Sequence, residues 1–245
     1  MNSLPDYASS TLSRLLTGLA AGADQKLFSV DSWANRLGDD PGARPFVAQM
    51  REEWCPITIP NEFCQQMMDT ARNALSWHAG WPNLWAHTLR VTGTLLALAP
   101  EASVDLDHAF MIGIFHDIGK LNEIAYGDSH EAIGARMARR VLTDHYSPTV
   151  VTLISNVIGK KASSANPYTQ LLYDADKLDK IGATGIARRM SLEADIQNVR
   201  YTLQRVQDDA IDFPAMHFPT STKLSASKLE FTEAFFDLSR FAEEV

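Results

Sequence analysis

Ala109-Phe110-Met111-Ile112-Gly113-Ile114-Phe115-His116-Asp117-Ile118-Gly119-Lys120 is the stretch on which the reading of this chain turns. Its apolar run describes a buried helix, and the run ends on two adjacent ionisable side chains. Leaving such groups unpaired away from water is costly, on a scale of several kcal/mol. Binding a divalent cation is one economical way to satisfy them. His87 lies upstream and Asp176 downstream, each on a separate helix-like segment. Two imidazoles and two carboxylates suffice for a metal site, and a metal site implies an enzyme.

Working outward, the chain reads as helix after helix from about residue 46. Helices are expected over residues 61–79 and over 84–99, where Leu84, His87, Val91, Leu95 and Leu98 recur every three or four positions and Pro100 is the expected stop. The next runs from near Asp105 to His116-Asp117, with Gly119 helping the chain leave it. Asp128 as N-cap and Glu131 three residues later form a capping-box pattern, followed by a stripe of Ile133, Met137 and Val141. Further helices are expected over 149–158, over 170–181 closed by Gly182, over 183–205 and over 225–244. No stretch alternates with period two over a useful length, so the fold class is all-α.

Residues 1–45 differ from the rest. They are small and polar, carry a short helical pattern at Leu12, Leu15, Leu16 and Leu19, and end in the turn-rich Gly38-Asp39-Asp40-Pro41-Gly42-Ala43-Arg44-Pro45. They read as an N-terminal extension and linker, with one helical domain over 46–245. An apolar fraction of 45% and a charged fraction of 21% are those of an ordinary globular protein. No run reaches the roughly 20 apolar residues that span a bilayer, and the N-terminus lacks a secretory pattern. Cys55 and Cys64 form no CxxC pair and are read as reduced thiols of a cytoplasmic protein. A formal charge of −8 argues against wholesale binding of duplex nucleic acid but leaves room for a small phosphorylated substrate.

The four candidate ligands each carry a competing explanation. His87 shares the apolar face of Val91 and Leu95, where a core histidine bonded to a carbonyl would also sit. Asp117 has Lys120 as an alternative partner. Asp176 lies in Tyr173-Asp174-Ala175-Asp176-Lys177-Leu178-Asp179, and three acids in such a run usually mark a solvated face. Leu172, Ala175 and Asp176 nevertheless share one helical face, which makes Asp176 the acid expected to point inward and leaves Asp174 off it. Imidazole and carboxylate ligands suit one divalent transition metal such as Mn, Fe, Co, Ni or Zn, with Mg also admitted.

The ordered strings His87-Thr88-Leu89-Arg90-Val91, His116-Asp117-Ile118-Gly119-Lys120, His130-Glu131-Ala132-Ile133-Gly134-Ala135 and Asp174-Ala175-Asp176-Lys177-Leu178-Asp179 resemble the HD-domain superfamily of metal-dependent phosphohydrolases. The match runs from about residue 80 to 190. With Ile181-Gly182-Ala183-Thr184-Gly185-Ile186-Ala187-Arg188 and the stretch from Lys223 to Glu244, it is similar to a bacterial subgroup that includes nucleotide pyrophosphohydrolases. The resemblance implies an all-helical bundle around a central metal held by His87, His116, Asp117 and Asp176. The chain departs from two-metal members, whose next helix ends in further histidines. Here it reads Val150-Val151-Thr152-Leu153-Ile154-Ser155-Asn156-Val157-Ile158-Gly159, which argues against a dinuclear centre.

The expected activity is hydrolysis of a small phosphorylated substrate, foremost a nucleoside triphosphate. The alternatives are a phosphodiesterase on a cyclic or short nucleotide and a nucleotide-binding module without turnover. Alongside Asp117 at the metal, Lys120 is a candidate phosphate contact and His130 a candidate proton donor. Arg90, Lys177 and Arg188 are candidate substrate contacts, and Asp179 a residue that orients a ligand or a lysine. Trp77, Trp81 and Trp85, spaced by four, read as core rather than as a base-stacking platform. The expected partners are the substrate and, if the chain assembles, a second copy of itself; neither duplex nucleic acid nor membrane is expected.

Overall fold

A computed structural model describes residues 44–77, 81–121, 127–192 and 199–242. The helical pattern at Leu12–Leu19 and the turn-rich stretch through residue 43 lie outside these residues. Every regular element among the described residues is helical, so the fold is all-α. The chain divides into two compact units, residues 55–176 and residues 1–54 with 177–245.

The unit of residues 55–176 contains α2 (Glu62–Leu75), α3 (Trp81–Ala102), α4 (Leu106–Phe115), a 3-10 turn (Ile118–Leu121), α5 (His130–Leu142), α6 (Pro148–Ile158) and all but the last two residues of α7 (Pro167–Leu178). α4 is its centre. All seven residues from Ala109 to Phe115 are buried, and α4 packs against α2, α3, α5 and α6. A helix apolar on every side is stable only when surrounded in this way.

The helix ends show where local sequence rules gave way. Pro100 does not stop α3, which continues to Ala102. A proline in the last turn forfeits its own N–H bond without forbidding helical geometry in the residues after it. The stop comes from Ser103, whose φ is 51°. Its N–H donates to Pro100 and that of Val104 donates to Ala99, closing the last carbonyls. At α5 the N-cap is Ser129, whose hydroxyl accepts from the Ala132 N–H, and not Asp128. Asp128 is drawn away by Arg136, at 2.7 Å. The buried stripe is accordingly Ile133, Gly134, Ala138 and Leu142, with Met137 and Val141 half-buried. Trp77 lies beyond the C-cap Ser76 of α2 and is 89% exposed, against the expectation that it is core. Trp85 is half-buried.

The second unit contains α1 (Arg44–Glu52), α8 (Gly182–Leu192), α9 (Val199–Ile211) and α10 (Pro219–Ala242). Of the single helix expected over 183–205, the described residues carry α8 and the start of α9, and residues 193–198 lie outside them; α10 begins at Pro219 rather than Ser225. Proline is suited to a first helical turn because its missing N–H has no intrahelical partner there. Phe46 of α1 meets Phe231 and Phe235 of α10 at centroid distances of 5.7 and 6.2 Å. Beside this aromatic contact lies a buried charge. The Glu53 carboxylate accepts from the backbone N–H groups of Ala183 and Thr184, from the Thr184 hydroxyl and from Lys228 Nζ. The first two bonds place an anion on the N-terminus of α8, where helix dipole and free N–H groups favour it.

Candidate metal centre

α3 and α4 bring the two histidines together. Gly113 lies where α4 crosses α3, and a Cβ there would stand 2.7 Å from Thr92 Oγ1 and 2.9 Å from Thr92 Cα. Glycine therefore sets how closely the helices approach. At the end of α4, His116 Nδ1 donates to the Gly113 carbonyl at 2.7 Å. This bond assigns the proton to Nδ1 and leaves Nε2 with its lone pair. That Nε2 faces His87 Nε2 at 3.3 Å. The expectation that His87 points inward with Val91 and Leu95 holds, for all three are buried.

Asp117 completes the group. Its Oδ2 lies 3.3 Å from His87 Nε2 and 3.5 Å from His116 Nε2. One ligand atom from each of His87, His116 and Asp117 lies within 4.8 Å of the others. Metal–ligand bonds of about 2.0–2.2 Å place the donors around one ion at comparable separations. Among the described residues this is the one group of three or more such side chains at that spacing. Asp176 Oδ1, from the last turn of α7, is 3.4 Å from His87 Nε2, with its side chain 34% exposed.

The acid buried most deeply on α7 is Asp174, at 0% exposure, contrary to the expectation that it lies off the inward face. The buried stripe is Leu171, Asp174, Ala175 and Leu178, at intervals of three and four, whereas the expected stripe was offset by one residue. Asp176 flanks this stripe and reaches His87 from its edge.

Electrostatics follow from burial. Desolvation pushes the His116 imidazole below its ordinary pKa, and His87 adds to the effect against the attraction of Asp117. Desolvation opposes ionisation of Asp117, yet His116, a hydrogen bond from His87 and the Lys120 ammonium hold its carboxyl well below the usual range. A neutral imidazole and an ionised carboxylate are the protonation states a cation needs in its ligands.

Lys120, on the 3-10 turn, bonds Asp117 Oδ2, so ion pair and ligand group share one oxygen. The alternative partner anticipated for Asp117 is therefore present beside the histidines. Gly119 brings this turn onto α5, since a Cβ there would lie 1.9 Å from the His130 carbonyl oxygen. His130 Nε2, from the first residue of α5, is 3.7 Å from Asp117 Oδ1 and 3.4 Å from Glu131 Oε1. Glu131 in turn pairs with Lys160, at the end of α6. The Lys160 contact was not anticipated, because its partner is 29 residues away.

Arg90 is half-buried on α3, one turn beyond His87, and Lys177 is half-buried next to Asp176. In the other unit Arg188 of α8 faces Asp179 at 3.5 Å. Both cysteines are free, and burial together with Asp107 pushes the Cys64 thiol up to about 11.

Residues 84–181 match the HD domain family. Ribonuclease Y of Pseudothermotoga lettingae is 32% identical over 118 residues, which are 48% of this chain and 22% of that protein. Ribonuclease Y of Sulfurovum sp. is 40% identical over 72 residues, 29% of this chain and 14% of that protein. The chain thus spans less than a quarter of the length of these curated relatives. Among solved structures, a predicted HD superfamily hydrolase from an uncultured Thermotogales bacterium aligns with a TM-score of 0.55 at 24% identity, covering 74% of this chain and 91% of that one. An HD-superfamily hydrolase from Bacillus thuringiensis aligns at 0.58 and 18% identity, covering 75% and 96%. At these identities the likeness shows the fold.

Proposed function

We propose that this chain, whose residues 84–181 match the HD domain family, is a metal-dependent phosphohydrolase that hydrolyses a small nucleotide, with a nucleoside triphosphate as the leading substrate. The observation that carries the reading is the convergence of His87, His116 and Asp117 within 4.8 Å, with the His116 tautomer fixed by Gly113. In this proposal these three residues and Asp176 hold one divalent transition ion. When bound, such an ion lowers the pKa of water and neutralises charge on phosphoryl oxygens.

The other roles belong to the protein. His116 keeps its proton on Nδ1, so that Nε2 stays available as a ligand. Lys120 exchanges its bond to Asp117 for a phosphate oxygen as substrate arrives. His130, 3.7 Å from Asp117 Oδ1, supplies a proton to the leaving group. Arg90, Lys177 and Arg188 are proposed phosphate contacts, and Asp179 is proposed to position Arg188. The proposal treats residues 46–245 as the functional domain and 1–45 as an extension, in a cytoplasmic protein that can pair with a second copy of itself. No described helix is long and apolar enough to cross a membrane.

A second reading is favoured by the ribonuclease Y relatives, whose name speaks for a phosphodiester substrate. A panel of nucleoside triphosphates, monophosphates, cyclic nucleotides and dinucleotides, assayed with Mn, Co, Ni and Mg, separates the two. Pyrophosphate or orthophosphate release from triphosphates supports the leading reading. Cleavage confined to cyclic or dinucleotide substrates replaces it with the second, and binding without turnover leaves a nucleotide-binding module.

A further inference from the structure

The nucleotide reading leaves Lys160 unused, although the fold carries it to the edge of the metal centre. α6 ends in a Schellman arrangement: the Lys160 N–H donates to Val157 and the Lys161 N–H to Asn156. The residue in the left-handed region is Lys160, with φ 52°, while the only nearby glycine, Gly159, is one position earlier with φ −77°. A left-handed conformation strains an L-residue, and glycine adopts it without that strain. The fold thus keeps a lysine where the backbone favours glycine.

Packing determines where that lysine goes. A Cβ on Gly159 would lie 3.1 Å from Ala135 Cβ and 3.9 Å from the Glu131 carbonyl, so the end of α6 runs against the first turns of α5. From there Lys160 Nζ reaches Glu131 Oε1, the same oxygen that lies 3.4 Å from His130 Nε2. His130 stands between two carboxylates, Asp117 and Glu131, and each carboxylate carries an ammonium, Lys120 and Lys160 respectively. The Lys160 side chain is 73% exposed, so its ammonium can turn from Glu131 toward a ligand in solvent.

We infer that Lys160 is a substrate-binding residue of this site, contacting a second phosphoryl group while Lys120 contacts the first. Two ammonium groups on different carboxylates, with an imidazole between them, offer one contact to each of two phosphoryl groups in a linear polyphosphate, whereas a monophosphate has one such group. Lys160 therefore selects substrates with two or more linked phosphoryl groups over monophosphates and simple diesters. This specificity rests on the proposed nucleotide hydrolysis, but the binding it predicts is measurable without turnover.

Calorimetric titration of inorganic tripolyphosphate and of orthophosphate, with and without added Mn, tests the assignment. Lys160→Gly removes the ammonium at a position whose left-handed backbone suits glycine, and circular dichroism checks that the variant is folded. The expected outcome is about tenfold weaker tripolyphosphate binding, the scale of one charge-assisted hydrogen bond, with orthophosphate binding changed less than about twofold. Lys160→Arg should restore most of the affinity, and Lys161→Gly should resemble wild type. Unchanged tripolyphosphate binding in Lys160→Gly, equal losses for both ligands, an equal loss in Lys161→Gly, or no tripolyphosphate binding by wild type would each overturn the inference. If wild type binds tripolyphosphate through Lys160 yet hydrolyses no nucleotide, the hydrolase reading fails and the binding site stands.

Discussion

One bond at His116 fixes much of the centre's chemistry. Because Nδ1 is committed to Gly113, Nε2 meets the lone-pair requirement of a ligand without rearrangement. His130 Nε2, by contrast, faces two carboxylates, Asp117 and Glu131. Its proposed part is proton transfer, so His130→Ala should lower kcat by about 10²–10⁴-fold, the usual contribution of a general acid, and leave metal content unchanged. Loss of the metal in that variant would make His130 a ligand. The residues His87, His116 and Asp117 were legible in the sequence because ionisable groups on an apolar helical face require a reason. The inward turn of Asp174 was not, because an offset of one residue along α7 exchanges which acid lies on the buried stripe.

At the scale of elements, the end of α6 is tied to the start of α5 by Glu131 and Lys160. Burial opposes ionisation of Glu131, but the hydrogen bond from Lys160 and the nearby His130 lower its pKa to about 2 from an ordinary 4.5. A depressed carboxylate stabilises the fold above its unfolded pKa, and that contribution is lost as pH falls through the folded value. The stability difference between wild type and Glu131→Gln, measured by urea unfolding, should be constant above about pH 5 and shrink as pH falls from about 4.5 toward 2. Exposure of Lys160 makes the difference sensitive to salt, and about 1 M NaCl should reduce it. A difference independent of pH would remove the ion pair from the account. Helix existence was readable from apolar periodicity, but helix ends were less so. Arg136 diverted Asp128 from the cap, and Ser103 rather than Pro100 closed α3.

At the scale of the whole molecule, each compact unit carries its own buried charge group. In the unit without the candidate metal centre, Glu53 and Lys228 are joined across 175 residues of sequence, with side chains only 3% and 7% exposed. Nothing near either residue announces the other, so this pair was invisible in the sequence. Removing one member leaves the other charge buried. Glu53→Ala should destabilise the fold by about 3–5 kcal/mol, and adding Lys228→Met should recover part of that loss. Denaturant unfolding of both variants is the check, and a single variant within about 1 kcal/mol of wild type would show that the pair is dispensable. The all-α architecture was legible because it depends on periodicity repeated along the chain, which survives local errors at helix ends.

The central claim is that His87, His116, Asp117 and Asp176 hold a catalytic divalent ion. Its most direct test is elemental analysis of the purified protein beside an Asp117→Ala variant, each stripped and reloaded with Mn, Co, Ni or Zn, with circular dichroism confirming equal helix content. The account predicts about one ion per wild-type chain and its loss, together with turnover, in the folded variant. A wild-type chain that takes up no metal, or a variant that retains its full complement and full activity, would contradict it.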